Sequence, residues 1–329
     1  MDDLTRLVVA VRDELQDVAS GQLILTACSG GPDSLALAAA TARLAPARGW
    51  RAGAVVVDHG WSQQASAAGA EAASVLEQLG LAPVELVAAP AVTGGAGPES
   101  DARTARYQAL DAAALRLGAS VVLLGHTLDD QAETVLLGLG RGSGARSLAG
   151  MPRRRGIYRR PLLGLRRSVT LAACAAMELQ PWHDPANLDR RYTRVRVRQL
   201  ADELETALGP GAAQNLARTA DLLRADADAL DVAAADLLKQ ARAASSDHDC
   251  DFDCHVLASA PEAIRRRALL MAAREVTGTS ALTRAHALAL DALLTAGDGA
   301  RTNLPSGVIA QRVCGRLQLA SSPNDQPTP

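Results

Sequence analysis

Apolar runs of four to six residues recur through the first 125 positions, and each gives way to small or polar residues. Leu23-Ile24-Leu25-Thr26-Ala27-Cys28 runs into Ser29-Gly30-Gly31-Pro32-Asp33-Ser34. Ala52-Gly53-Ala54-Val55-Val56-Val57 runs into Asp58-His59-Gly60. Pro83-Val84-Glu85-Leu86-Val87 precedes a Gly-rich loop over 92–98, and Val121-Val122-Leu123-Leu124 stops at Gly125-His126. Between these runs the apolar spacing becomes helical. Leu4, Leu7, Val8, Val11 and Leu15 make an amphipathic leading helix, and helices are expected over 34–44, 66–79, 99–117 and 129–139. Uninterrupted apolar strands alternating with helices predict a parallel sheet covered on both faces, an α/β fold.

The pattern changes after residue 140. Residues 141–177 contain no Asp or Glu, yet carry Arg141, Arg146, Arg153, Arg154, Arg155, Arg159, Arg160, Arg166 and Arg167, with glycines that mark the stretch as loop-rich. A second cluster, Arg190, Arg191, Arg194, Arg196 and Arg198, follows Trp182-His183-Asp184-Pro185. Gly209-Pro210-Gly211 reads as a domain boundary. Beyond it Leu216, Leu223, Leu230 and Leu237 recur every seven residues with Ala220, Ala227 and Ala234 between them, predicting a long helix that packs by a narrow seam. Two further helices over 264–276 and 283–294, a tight turn at 304–308, and strands over 308–313 and 317–319 follow. The expected organisation is an α/β domain over 1–208, a smaller, mainly helical domain over 209–320, and a disordered tail over 321–329.

Ligands of parallel sheets sit beyond the carboxyl ends of the strands. Ser29–Ser34, Asp58-His59 and His126–Asp130 should therefore converge on one crevice. Strand, Gly-Gly turn and helix aim backbone N–H groups at a phosphate, and Pro32 suits a helix start. The turn is neither GxGxxG nor GxxxxGK[ST], which excludes a dinucleotide fingerprint and a Walker loop and leaves a purely structural turn as the alternative. Asp33, Asp129 and Asp130 offer carboxylates for Mg2+ or an incoming amine, and Arg103 and Arg106 share a helix face. These residue types together read as ATP binding with transfer chemistry at a phosphate, the acceptor remaining open.

Composition narrows the partners. Of 329 residues, 48% are hydrophobic and 21% charged, which fits a globular chain rather than a disordered one. With a formal net charge of only -2, contact with nucleic acid must come from local patches. Almost every basic residue is Arg, Lys239 being the only Lys, and Arg grips phosphate bidentately. The two Arg clusters read as solvated faces or as an RNA or phosphate surface; their place beside the crevice favours the second. Five scattered cysteines argue for a reducing compartment. No apolar leader or membrane-length run is visible, so a cytoplasmic protein away from membranes is expected. Asp247–His255 has one Cys pair without the second that a zinc site needs, and is expected to be an acidic connector.

Several segments carry a resemblance. Ser29-Gly30-Gly31-Pro32-Asp33-Ser34 resembles the SGGxDS signature of the PP-loop ATP pyrophosphatase superfamily, whose fold is adenine nucleotide alpha hydrolase-like. Glu99 with Ala102-Arg103-Thr104-Ala105-Arg106-Tyr107, the stretch Gly125-His126-Thr127-Leu128-Asp129-Asp130-Gln131-Ala132-Glu133-Thr134 with Arg141-Gly142-Ser143-Gly144, Arg160-Pro161-Leu162-Leu163, and Trp182-x-Asp184-Pro185-x-Asn187-x-Asp189 are similar to segments of the bacterial tRNA(Ile)-lysidine synthase family. The chain departs from that family's pattern at Trp61, at Thr127, and at Arg194-Val195-Arg196-Val197-Arg198, where an Asn is common.

The resemblance implies that ATP adenylates C2 of the wobble cytidine of tRNA(Ile) with a CAU anticodon, that pyrophosphate leaves, and that free L-lysine displaces AMP to give lysidine. It implies nucleotide contacts from Ser29, Gly30, Gly31, Pro32, Asp33, Ser34, Asp58 and His59. It implies catalytic roles for Asp33, Arg106, His126 and Asp130, Mg2+ at Asp129 and Asp130, and tRNA contacts from Arg153, Arg154, Arg155, Arg194, Arg196 and Arg198. A homodimer is compatible with the sequence. The rival readings are another PP-loop enzyme, such as a tRNA thiolase or a glutamine-dependent synthetase, and a non-catalytic nucleotide-binding scaffold.

Overall fold

The computed structural model describes residues 2–60, 62–92, 98–142, 144–242, 250–279 and 281–321. By contacts the chain forms two compact units, Met1–Leu222 and Leu223–Pro329. In the first, α1 (Asp3–Glu14), β1 (Leu23–Cys28), α2 (Pro32–Arg48), β2 (Arg51–Asp58), α3 (Gln63–Gln78), β3 (Val84–Ala88), α4 (Pro98–Leu117), β4 (Ala119–Leu124) and α5 (Leu128–Gly140) alternate as the hydropathy pattern predicts. The strands line up β3-β2-β1-β4-β6-β5, parallel except for the terminal hairpin of β5 (Arg154–Arg155) and β6 (Tyr158–Arg159).

Alternation along each strand explains the two faces. Ile24, Val56, Val121 and Leu123 point to a layer built with Leu7, Val11, Leu35, Leu37 and Val169. Leu25, Val55, Val122 and Leu124 point to the other, with Leu110, Ala113 and Tyr158. Each such aliphatic side chain contributes about 1.5–3 kcal/mol when fully buried. β1 pairs with β2 on one side and β4 on the other, so the chain order reverses beside β1, where open parallel sheets place their ligands.

Part of the acid-free stretch departs from the loop reading. α6 (Ala145–Leu148) is one short turn, but α7 (Arg167–Ala176) is a full helix that buries Val169, Thr170, Ala173 and Cys174. α8 (Thr193–Leu208) and α9 (Ala212–Ala241) meet at Gly209 and Gly211, whose φ angles of 88° and 103° suit glycine. Along α9 the fully buried positions are Ala220, Ala227 and Ala234, while Leu216, Leu223 and Leu230 are half-buried. Small side chains let a neighbour approach closely: Arg267 reaches the Ala227 carbonyl at 2.7 Å.

In the second unit, β7 (Asp251–Asp253), β8 (Arg301–Asn303), β9 (Val308–Val313) and β10 (Arg316–Ser321) form an antiparallel sheet, with α10 (Cys254–Ser259), α11 (Glu262–Thr277) and α12 (Arg284–Leu293). Here the acidic-connector expectation fails for its described part. Phe252 and Cys254 lie in the core, and Asp251 is paired with Arg316 at 2.6 Å. Residues 247–249 of that segment, and 322–329 of the expected tail, fall outside the described residues.

Candidate active site

The turn after β1 is held by its own polar atoms. Gly30 has φ +77°, and a Cβ there would lie 3.3 Å from the Ala72 Cβ, so the position needs glycine twice over. Gly31 sits at φ -74° as the N-cap of α2, with Pro32 in the first turn. The Ser34 hydroxyl donates to the Gly31 carbonyl at 2.9 Å and accepts the Ser29 N–H at 3.2 Å. The turn therefore has a fixed shape ahead of α2, whose N-terminus attracts anions. Opposite it, a Cβ on Gly125 would come within 3.1 Å of the Asp33 and Ser34 backbones. The end of β4 touches the start of α2, and a side chain there would push them apart.

One corner of the crevice is acidic. Asp33 from α2 and Asp130 and Glu133 from α5 meet the guanidinium of Arg167, at the start of α7. Arg167 Nε lies 3.2 Å from Asp33 Oδ2, Nη2 is 2.7 Å from Asp130 Oδ1, and Nη1 is 3.7 Å from Glu133 Oε1. The Thr170 hydroxyl donates to the other oxygen of Asp33. Asp130 Oδ2 accepts from the Thr127 N–H at 2.7 Å and hydroxyl at 2.9 Å, closing a capping box on α5. Glu133 is 1% exposed; Arg198 Nε donates to its Oε1 at 2.8 Å, while its Oε2 is buried without a hydrogen bond. Burial raises the carboxyls of Asp33 and Glu133, whereas Arg167 and the Thr127 amide outweigh burial at Asp130 and hold it low.

The other corner is basic. Arg103 and Arg106 on α4 stand over the Tyr107 ring at 5.0 and 5.7 Å. Arg160, only 2% exposed, donates to the Tyr107 hydroxyl at 3.1 Å. Among the described residues none of these three guanidiniums forms an ion pair with a carboxylate, and the Nε atoms of Arg106 and Arg160 are buried without partners. Burial and the neighbouring cations lower both groups. His126, at the end of β4, lies between the corners. Its Nδ1 is buried without a hydrogen-bond partner, and burial, helped by Arg106, Arg160 and Arg103 against the pull of Asp130, drives its basicity far down, so the ring is neutral. Burial and Arg106 lower His59 as well. Asp58 is lowered mainly by the Gly60 N–H, 2.8 Å away.

Comparison with known proteins agrees with this arrangement. A PP-loop domain family model matches residues 5–204. A tRNA(Ile)-lysidine synthase of Thermobifida fusca is 49% identical over 315 residues, covering 95% of this chain and 96% of the relative. One of Streptomyces coelicolor is 50% identical over 304 residues, with 90% and 85% covered. The chain belongs to the tRNA(Ile)-lysidine synthase family. Among solved structures, the U34-tRNA thiolase NcsA from Methanococcus maripaludis has the same fold at a TM-score of 0.58 and 22% identity, covering 68% of this chain and 80% of that one.

Within this member of the lysidine synthase family, the structure brings Asp33, His126, Asp130, Arg106 and His59 to one sheet edge. Asp129 is differently engaged: its oxygens take Arg166 Nε at 3.0 Å and the Arg167 N–H at 2.7 Å. Asp130 is likewise engaged, by Thr127 and Arg167, and both carboxylates keep lone pairs beyond these contacts.

Several arginines that the sequence offers to tRNA are held from within. Arg154 binds Glu14 at 2.6 Å and Asp17 at 3.2 Å, Arg196 donates to the Arg190 and Arg191 carbonyls, Arg194 Nε lies 3.9 Å from Glu133, and Arg198 buttresses Glu133. Arg153 and Arg155 are exposed. Residue-type reasoning missed Arg167, Thr170, Arg160 and Tyr107 beside the crevice groups. Helical spacing of Val169, Thr170, Ala173 and Cys174 was the signal for the first two.

Proposed function

We propose that this protein ligates free L-lysine to C2 of the wobble cytidine of tRNA(Ile) with a CAU anticodon, using ATP and releasing AMP and pyrophosphate. One observation carries the reading: an acidic and a basic corner flank a single phosphate turn at the reversal point of a parallel sheet. The turn and the α2 N-terminus take the ATP phosphates, with Ser34 fixing the turn and Asp58 and His59 bordering the nucleoside. The cytidine C2 oxygen attacks the α-phosphorus; an O–P bond forms and the bond to pyrophosphate breaks. Arg106 and Arg160 stabilise the charge that builds there, and neutral His126 donates or accepts a hydrogen bond without carrying charge. The lysine amine, oriented by Asp33 and Asp130, then attacks C2. The C–O bond to AMP breaks, and Asp130 takes the amine proton.

Magnesium, when bound, neutralises phosphate charge. We place it on the nucleotide's phosphates, with Asp129 and Asp130, whose oxygens keep lone pairs beside Arg166 and Arg167, as the carboxylates that would reach it. Arg153 and Arg155 are the exposed contacts for tRNA. We take its site of action to be the cytoplasm, where its tRNA and ATP are found; separately, no described helix is long and apolar enough to cross a membrane.

The decisive measurement is pyrophosphate release with a CAU-anticodon tRNA(Ile) transcript, followed by nucleoside mass spectrometry. Lysidine appearing only when lysine is supplied supports the proposal. Release driven instead by a sulfur donor, as for a thiolase, would sink it.

A further inference from the structure

The acidic corner already holds a cation. One oxygen of Asp33 is fixed by Thr170, and one of Asp130 by Thr127. The remaining oxygen of each faces Arg167, at 3.2 and 2.7 Å. An ammonium group arriving at Asp33 and Asp130 therefore meets the Arg167 guanidinium on the oxygens that turn toward it, cation against cation, and binds them fully only as Arg167 withdraws. Resting on the lysine-ligase reading, we infer that Arg167 is the resting occupant of the substrate-ammonium subsite, a built-in competitor that swings aside when lysine binds.

Three features suit Arg167 to leaving. It touches Asp33, Asp130 and Glu133 through one nitrogen each, so none of the pairs is the bidentate fork that makes Arg–carboxylate contacts durable. It is the first residue of α7, where the helix dipole disfavours a cation. Its side chain is 21% exposed, leaving a way out to solvent. Glu133 Oε2, buried with no hydrogen bond, shows that the guanidinium does not satisfy the pocket completely. The three ammonium N–H groups of a substrate amine match the carboxylates that converge there. Self-occupation also gives selectivity: a cation enters only if it binds the three acids better than the tethered guanidinium does.

Steady-state lysidine formation should be measured against free lysine for the wild-type protein, Arg167→Ala and Arg167→Gln, with and without methylguanidine, folding being checked by circular dichroism. A pocket that is self-occupied nine-tenths of the time weakens apparent affinity about tenfold, so both variants should show a lysine KM lower by roughly that factor. Methylguanidine should raise the KM of Arg167→Ala competitively and leave the wild type unchanged. The inference is overturned if the variants keep or raise KM while losing kcat, and methylguanidine restores kcat; Arg167 would then be a permanent organiser of the carboxylates. Absence of lysine-dependent turnover in the wild-type protein is a different result, which removes the functional reading and the inference with it.

Discussion

The two corners of the crevice handle charge in opposite ways. In the acidic corner Asp33, Asp130 and Glu133 are neutralised in advance by Arg167 and Arg198, so a ligand enters by exchange. In the basic corner Arg103, Arg106 and Arg160 surround Tyr107, and among the described residues no carboxylate pairs with them. Unpaired buried ions cost several kcal/mol each. That cost falls when an anion arrives, and most where negative charge grows during reaction. One corner is thus arranged to select a cation and the other to await charge developing on phosphate.

The largest test of this contrast is removal of the anchoring carboxylates. Asp33→Asn and Asp130→Asn should each reduce lysidine formation by about 100-fold or more. Asn at either position still accepts the threonine contact but loses the pair with Arg167, so the fold should survive at a cost of about 1–3 kcal/mol, far too little to account for the lost turnover. Turnover close to normal in either variant would break the assignment of the acidic corner.

Arg106→Met should slow tRNA-dependent pyrophosphate release by about 100-fold. It should also raise the melting temperature, because a buried unpaired cation disappears. Glu133→Gln, in the paired corner, should do the reverse and destabilise by about 1–3 kcal/mol, since it weakens the contacts of Arg198 and Arg167. If both variants move stability in the same direction, the contrast is wrong.

His126 gives a smaller effect. Its folded basicity lies below that of the unfolded imidazole, so below about pH 6.5 the unfolded chain takes up a proton that the folded one refuses. Stability should fall as pH drops through that value, and His126→Asn should flatten the slope of melting temperature against pH. An unchanged slope would mean that the ring is solvated.

The smallest effect lies at the β5–β6 hairpin. Arg153→Ala with Arg155→Ala should lower the salt slope of tRNA binding by about one to two. Arg154→Ala should leave that slope alone and instead cost about 1 kcal/mol of stability through Glu14. Equal effects on the salt slope would place all three arginines against the tRNA.

The sheet was legible because Leu23–Cys28 and Val121–Leu124 are apolar on both faces, a pattern few other structures produce. The crevice was legible because polar residues follow those strands directly. Its inner wiring was not. Arg167 and Asp33 are 134 positions apart, and a run of arginines free of acids looks solvent-facing until its partners are seen. The internal contacts of Arg154, Arg196 and Arg198 were hidden for the same reason: sequence records their charge but not what neutralises or binds it. Phe252 and Cys254 were hidden among the aspartates of a segment that in fact supplies an edge strand and core.

The backbone N–H of Trp182 donates to the Gly30 carbonyl at 2.9 Å, and the Trp182 Cβ lies 3.7 Å from where a side chain on Gly30 would begin. A tryptophan whose backbone is fastened to the phosphate turn is a built-in optical probe. With Trp61 replaced by Phe, and Trp50 buried and bonded to the Val18 carbonyl, a change in emission on adding ATP would come from Trp182. Nucleotide loading could then be followed in real time without a label, before any tRNA or lysine is present.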